Sequence, residues 1–224
     1  MNRLTLADTA AGIVSLLILT GAAWVAIYGP VAPIPLHFDS AGQADRYGGR
    51  HELAIVLAVL AGLNLLVAWM VGRQANSVTE PIRQKGLRRG QWLSIIIMAA
   101  IAAFIGWTSL GPAALSGSTP PGGAMVFLAF VMLITGATVG RVPPNPFIGV
   151  KTPWAYKSRL AWDRSNRLAG RLFFWLGALG LIASPFAPQP AAVFALIAGV
   201  LIAAAWSVFE SWRVWRTDPE RQPF

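Results

Sequence analysis

Apolar residues in this chain come in long unbroken runs, not in alternation with polar ones. The runs occupy residues 10–28, 53–71, 92–110, 124–139, 168–185 and 191–208. A hydrocarbon core about 30 Å thick needs roughly 20 apolar residues of helix to cross it. The first four runs contain no charged residue. The fifth contains only Arg171, within its first turn, where a long side chain can reach back to the headgroups. Backbone groups at membrane depth find no water, so helices are predicted there, while the strands of a barrel would show alternation. The predicted fold class is therefore all-α: a polytopic membrane protein with about six transmembrane helices. The first run follows Arg3 in the manner of a signal peptide, but it is too long and no small-x-small cleavage site follows it. It is expected to be retained.

Composition strengthens this picture. Of the 224 residues, 55% are hydrophobic and only 12% are charged, whereas soluble domains carry about 25% charged residues. The formal charge is +9, from 18 Lys and Arg against 9 Asp and Glu. In a soluble chain that excess would point to nucleic acid. Here the cations sort by loop: Arg3, then Arg73 to Arg89, then Arg141 to Arg171, then Arg213 to Arg221, all at one end of the predicted helices. Only Arg46 and Arg50 fall at the other end. The positive-inside rule then places both termini in the cytoplasm, N-in and C-in, and accounts for the basicity with no direct nucleic-acid contact. Cysteine is absent, which excludes disulfides, thiolate metal sites and cysteine nucleophiles.

Two loops are rich in turn chemistry. The outward loop, 29–52, carries Pro30, Pro33 and Pro35, which stiffen it, and Gly42, Gly48 and Gly49, which allow tight turns. Asp39, Ser40 and Asp45 can hydrogen-bond nearby backbone. His37, Asp39, Asp45, His51 and Glu52 are metal-competent by type but lack a spacing that would gather them around one ion, so no metal and no cofactor are expected. The inward loop, 140–171, begins with four prolines that bar a helix across its first half. Gly149-Val-Lys151-Thr152 resembles part of a nucleotide loop, but the upstream glycine is missing. From Ser158, a candidate N-cap, the chain is predicted to be an amphipathic helix before the fifth span. Trp154, Tyr156 and Trp162 are read there either as anchors facing lipid or as part of a docking site for a cytoplasmic partner.

Both loops resemble those of the SdpI family of bacterial membrane immunity proteins. The outer one is similar to a small membrane domain often found at the front of that family, through Pro35, His37, Phe38, Gly42 and Asp45 with Arg46. The inner one resembles the family's characteristic segment, through Asn145, Phe147, Gly149, Thr152, Pro153, Trp154, Trp162, Asn166, Gly170 and Arg171. The resemblance divides the chain into a two-helix unit, 1–75, and a four-helix unit, 76–224, with the basic loop 140–171. It implies a multi-pass protein of the bacterial cytoplasmic (inner) membrane whose partners are the lipid bilayer, an extracytoplasmic toxic peptide and a cytoplasmic transcriptional repressor. The implied role is protection against the peptide, with signalling through the repressor. It brings no catalytic residues, so the residues named are family-signature and partner-binding candidates.

Within the spans, Asn64 is the most polar central residue and is expected to make an interhelical hydrogen bond. Thr108, Thr135 and Thr138 can bond their own helix backbone. Gly177, Gly180, Ala203 and Ala204 are expected at close helix contacts. No HExxH motif and no paired intramembrane aspartates occur, so an enzyme is not expected. The alternative class is a transporter or channel-like protein for small amphiphilic molecules, whose usual sign, a matched pair of interrupted helices, is not evident.

Overall fold

The computed structural model describes residues 4–118 and 122–223; Arg3, counted above among the inward cations, lies outside them. The elements in chain order are α1 (Leu6–Tyr28), β1 (Ile34–Phe38), β2 (Ala44–Gly48), α2 (Arg50–Ser77), α3 (Pro81–Leu110), α4 (Pro112–Ser116), α5 (Gly123–Val139), α6 (Pro153–Tyr156), α7 (Arg159–Ala183) and α8 (Ala191–Thr217). Each of the six apolar runs lies largely or wholly within one of the six long helices. Four of these (α1, α2, α3 and α8) are long and apolar enough to cross a membrane; α5 is a shorter apolar helix of 17 residues. The chain is thus an all-α polytopic membrane protein, with one small hairpin added at an end.

Several helices start well before their apolar runs, with a side-chain cap at α1 and α7 and a proline in the first turn of α3. Thr5 and Asp8 form a reciprocal capping box that starts α1 four residues before the predicted span. Pro81 occupies the first turn of α3, where its missing N–H costs nothing. Arg83, Lys85, Arg88 and Arg89, expected in a loop, therefore ride on the first turns of α3.

The helices form two groups. In one, α1 packs on α2 and α2 on α3; in the other, α5 packs on α7 and α7 on α8. A lightly packed seam between α3 and α5 joins them. The α5–α7 contact is backbone on backbone. A Cβ on Gly136 would lie 2.2 Å from the Phe174 nitrogen, and one on Gly177 would lie 2.4 Å from that of Leu133. Gly180 similarly faces Ala129, and Ala203 is buried, as expected of small residues at helix crossings. Asn64 makes the interhelical bonds predicted for it, donating to the Ala11 carbonyl (3.1 Å) and to Ser15 Oγ (2.9 Å). Thr108 and Thr138 bond carbonyls of their own helices, at Phe104 (3.0 Å) and Ile134 (2.9 Å).

Two expectations need correction. The outward loop is an antiparallel hairpin, β1–β2, with Pro35 opposite Tyr47 and His37 opposite Arg46. Prolines masked the strand signal, yet Pro35 is tolerated because its carbonyl, not an N–H, is needed: it accepts from Ser109 Oγ at 3.0 Å. The inward stretch from Ser158 is not a surface helix leading to a separate span. It is the first part of the continuous helix α7, and Trp162, read either as a lipid-facing anchor or as part of a docking site, has no exposed surface for either.

Candidate functional site

At the hairpin end the turn is built as its residue types predict. Asp39 Oδ1 accepts from the N–H groups of Ala41 (2.8 Å) and Gln43 (2.9 Å), and Gly42 supplies a positive φ of 79°. His37 Nδ1 lies 2.6 Å from Asp45 Oδ1, and Arg46 pairs with Glu52. Ile34 anchors the hairpin among Ile18, Val25, Leu53 and Leu57. The Ala44 N–H donates to the Gly117 carbonyl at 2.9 Å, tying the hairpin to the segment after α4.

Beneath the hairpin is a cavity of about 620 Å³. His37, Asp39 and Arg46, with Phe38 and Gly42 between them, form its roof; Leu53, Phe104, Ile105 and Met125 form part of its apolar floor. A second, mainly apolar cleft of about 790 Å³ runs between α3, α5 and α7, lined by Ala100, Trp107, Val126, Phe127, Phe130 and Leu181 among others. Phe104, Gly122 and Gly123 line both. Phe104 stacks on Phe127, with ring centroids 4.5 Å apart, at this junction. A polar-roofed chamber thus adjoins an apolar cleft. Of the candidates drawn from the outer loop, His37, Phe38 and Gly42 line the chamber; Asp45 reaches it only by holding His37, and Pro35 is buried as a structural residue.

The inner segment is constructed differently, with its polar atoms turned inward. Asn145 Oδ1 accepts from the N–H groups of Phe147 (2.8 Å) and Ile148 (2.9 Å), while Nδ2 donates to the carbonyls of Pro143 (2.8 Å) and Ile148 (3.0 Å). Asn166 Oδ1 accepts from the Val150 N–H at 2.7 Å, and its Nδ2 donates to the Trp162 carbonyl at 2.9 Å. Trp162 Nε1 donates to the Val142 carbonyl at 2.9 Å, and its ring faces that of Tyr156. Gly149 has φ +127°, and a Cβ there would lie 2.5 Å from Asn166 Oδ1. Thr152 Oγ1 caps α6 by accepting from the Ala155 N–H (3.1 Å) and lies 2.7 Å from Ser211 Oγ of α8. Pro153 begins α6 and is exposed; Phe147 and Trp154 are half-buried. Gly170 lets α7 meet Gly136 and Gly140, and Arg171 is exposed beside it. Lys151 Nζ donates to the carbonyls of Pro146 and Phe147, closing the loop on itself.

Two further clusters at this end were not foreseen. Asp8 Oδ1 accepts from Gln91 Nε2 (2.7 Å) and Arg88 Nη1 (3.3 Å), and Gln91, fully buried, also donates to the Ala68 carbonyl. This network ties α1, α2 and α3 together; the Thr5-x-x-Asp8 spacing was the only sequence sign of it. Ser158, confirmed as the N-cap of α7, also donates to Asp218 Oδ2, and the Gln222 N–H donates to the Lys157 carbonyl at 2.8 Å. The Ser158 hydroxyl and the Glu220 N–H hold the Asp218 carboxyl below the usual carboxylate range.

These features define a polytopic helical membrane protein with a chambered hairpin end and a hydrogen-bonded inner segment. Residues 141–211, which contain most of the inner segment, match the SdpI/YfhL protein family. The hairpin lies outside that match. Neither a curated protein nor a solved structure matches the chain.

Proposed function

We propose that the chain is an immunity protein of the bacterial cytoplasmic membrane, with all six long helices spanning and both termini cytoplasmic, that protects against a secreted toxic peptide. The observation that carries this reading is the chamber under the hairpin and its shared lining with the apolar cleft. A membrane-active peptide has a polar face and an apolar face, and the two adjoining spaces offer one environment for each. The peptide's apolar side chains enter the cleft past Phe104 while its polar groups remain at His37, Asp39 and Arg46. The match of residues 141–211 to the SdpI/YfhL family supports an immunity-type protein in general terms. No residue lining the cleft is ionisable, which favours capture over ion-coupled transport. Catalysis has no part in this reading.

On the opposite face, Lys151, Pro153, Tyr156 and Arg171 are exposed around the rigid inner segment. They are the surface offered to a cytoplasmic repressor, whose recruitment reports that the outer chamber is filled. The test is survival and membrane potential of sensitive bacteria expressing the chain and challenged with the secreted peptide toxin of the SdpI system. Ala124→Trp fills the chamber and Ala100→Trp fills the cleft. Protection by the native chain and its loss in both variants, each verified as inserted, is the expected result. Undiminished protection in both variants, or none from the native chain, would overturn the reading.

A further inference from the structure

The α3–α5 seam opens a second time at the other end of the bundle, into a cavity of about 380 Å³. Trp92, Leu93 and Ile96 of α3 and Ile134 and Ala137 of α5 give it apolar walls, and Arg89 and Arg141 stand at its mouth. The two arginines are held together, since Arg89 Nη1 donates to the Arg141 carbonyl at 3.3 Å. No carboxylate lines this cavity. Among the described residues neither arginine forms a salt bridge, in contrast to Arg88 one position away, which is committed to Asp8. Both guanidiniums are exposed, and Trp92 and Ile96 are each 41% exposed on the outer surface of the helix pair.

We propose that this cleft binds an anionic phospholipid, its phosphodiester between Arg89 and Arg141 and an acyl chain along Leu93, Ile96, Ile134 and Ala137. Two arginines that line one cleft without a counter-charge suit an anion, and a phosphate can accept charge-assisted hydrogen bonds from both. The apolar walls continue from the guanidiniums toward the middle of the membrane, which suits a ligand with a charged head and a hydrocarbon tail. A free phosphate would leave those walls unused. Basic pockets between helices at a membrane face recognise lipid headgroups on this principle. The inference does not depend on which ligand fills the outer chamber.

Native mass spectrometry of the full chain in detergent, titrated with dioleoylphosphatidylglycerol or dioleoylphosphatidylcholine, reads the occupancy directly. The native chain should bind phosphatidylglycerol preferentially. Each cation near an anionic headgroup is worth a factor of about five, so Arg89→Gln/Arg141→Gln should weaken that binding on the order of 25-fold. The equally neutralised control Arg83→Gln/Arg164→Gln should retain the preference. Ala137→Trp keeps both guanidiniums and blocks the acyl path, so it too should lose affinity. Glycerol phosphate at equal concentration should fail to compete. Equal binding of the two lipids, a preference that survives in both Arg89→Gln/Arg141→Gln and Ala137→Trp, or full competition by glycerol phosphate would each overturn the proposal, the last by showing an anion site with no need of the tail. Should the double arginine variant not fold, Ala137→Trp decides.

Discussion

The hairpin end and the inner segment look alike in sequence, both being proline- and glycine-rich with aromatic and polar residues between. In the structure they do opposite things with the same residue types. At the hairpin end His37, Asp45, Arg46 and Glu52 pair at the surface, and a cavity is left beneath them. In the inner segment Asn145, Thr152, Trp162 and Asn166 are all buried and bond to backbone or, at Thr152, also to Ser211 of α8. What separates the two is the destination of the side-chain hydrogen bonds. Bonds made inward to backbone fix a loop in one conformation, whereas side chains paired only at the surface remain available to a ligand. The buried signature residues Asn145, Thr152, Trp162 and Asn166 therefore act as the framework of the inner segment, whereas Pro153 and Arg171 stay exposed at its surface.

Removing the framework should give the largest effects. Trp162→Ala deletes a ring with no exposed surface and leaves the Val142 carbonyl without its donor. A loss of about 3–5 kcal/mol is expected, read as thermal unfolding of the detergent-purified chain by circular dichroism. Asn166→Ala removes the acceptor of the half-buried Val150 N–H and the bond to the Trp162 carbonyl, and about 1–3 kcal/mol should go with it. Gly149→Ala should be comparably harmful, because both its φ of +127° and the nearby Asn166 oxygen oppose a methyl group. Unfolding midpoints within a degree of the native chain for these three would remove the distinction between framework and binding face.

The helical plan was legible because lipid imposes one dominant rule, and 20-residue apolar runs report it directly. Asn64, Gly177 and the Ser158 cap were readable for the same local reasons. The hairpin was not: Pro33 and Pro35 argue against a strand unless one knows that Ser109, 74 residues further on, needs the Pro35 carbonyl. Nor was the burial of Trp162. A tryptophan next to charged residues near a span looks like an interfacial anchor, and only the fold brings the Val142 carbonyl and the Tyr156 ring to it. The outer chamber is a product of several separate segments, so its chemistry could be anticipated only on the hairpin, at residues such as His37, Phe38, Asp39, Gly42 and Arg46.

An intermediate effect is expected where the C-terminal tail docks on the inner segment. The Asp218 carboxylate accepts from Ser158 Oγ and the Glu220 N–H, and its folded pKa is lowered in consequence. For a carboxylate with a depressed pKa, the stabilisation is present above the unfolded value and disappears as pH falls through the folded one. The tail should stay docked at neutral and mildly acidic pH and detach only below the usual carboxylate range. Limited proteolysis of the purified chain after a pH step would register detachment as faster cleavage beyond Thr217. Asp218→Asn should show that faster cleavage at neutral pH, and cleavage unchanged by the substitution would mean that the tail is held elsewhere.

The smallest effect on stability should come from the hairpin, and there the comparison is sharpest. His37 and Asp45 keep side-chain exposures of 64% and 46%, so their contact at 2.6 Å is a surface pair. Such pairs contribute about 0–1 kcal/mol. His37→Ala should therefore unfold within a few degrees of the native chain, unlike any framework variant. Its consequence should appear instead in the chamber roof, as reduced survival of bacteria challenged with the toxic peptide. Asp45→Asn, which touches the chamber only through His37, should show a weaker version of the same defect. A destabilisation by His37→Ala as large as that of Asn166→Ala would make the hairpin another piece of framework. Native stability together with undiminished protection would leave the chamber roof without a role in recognition.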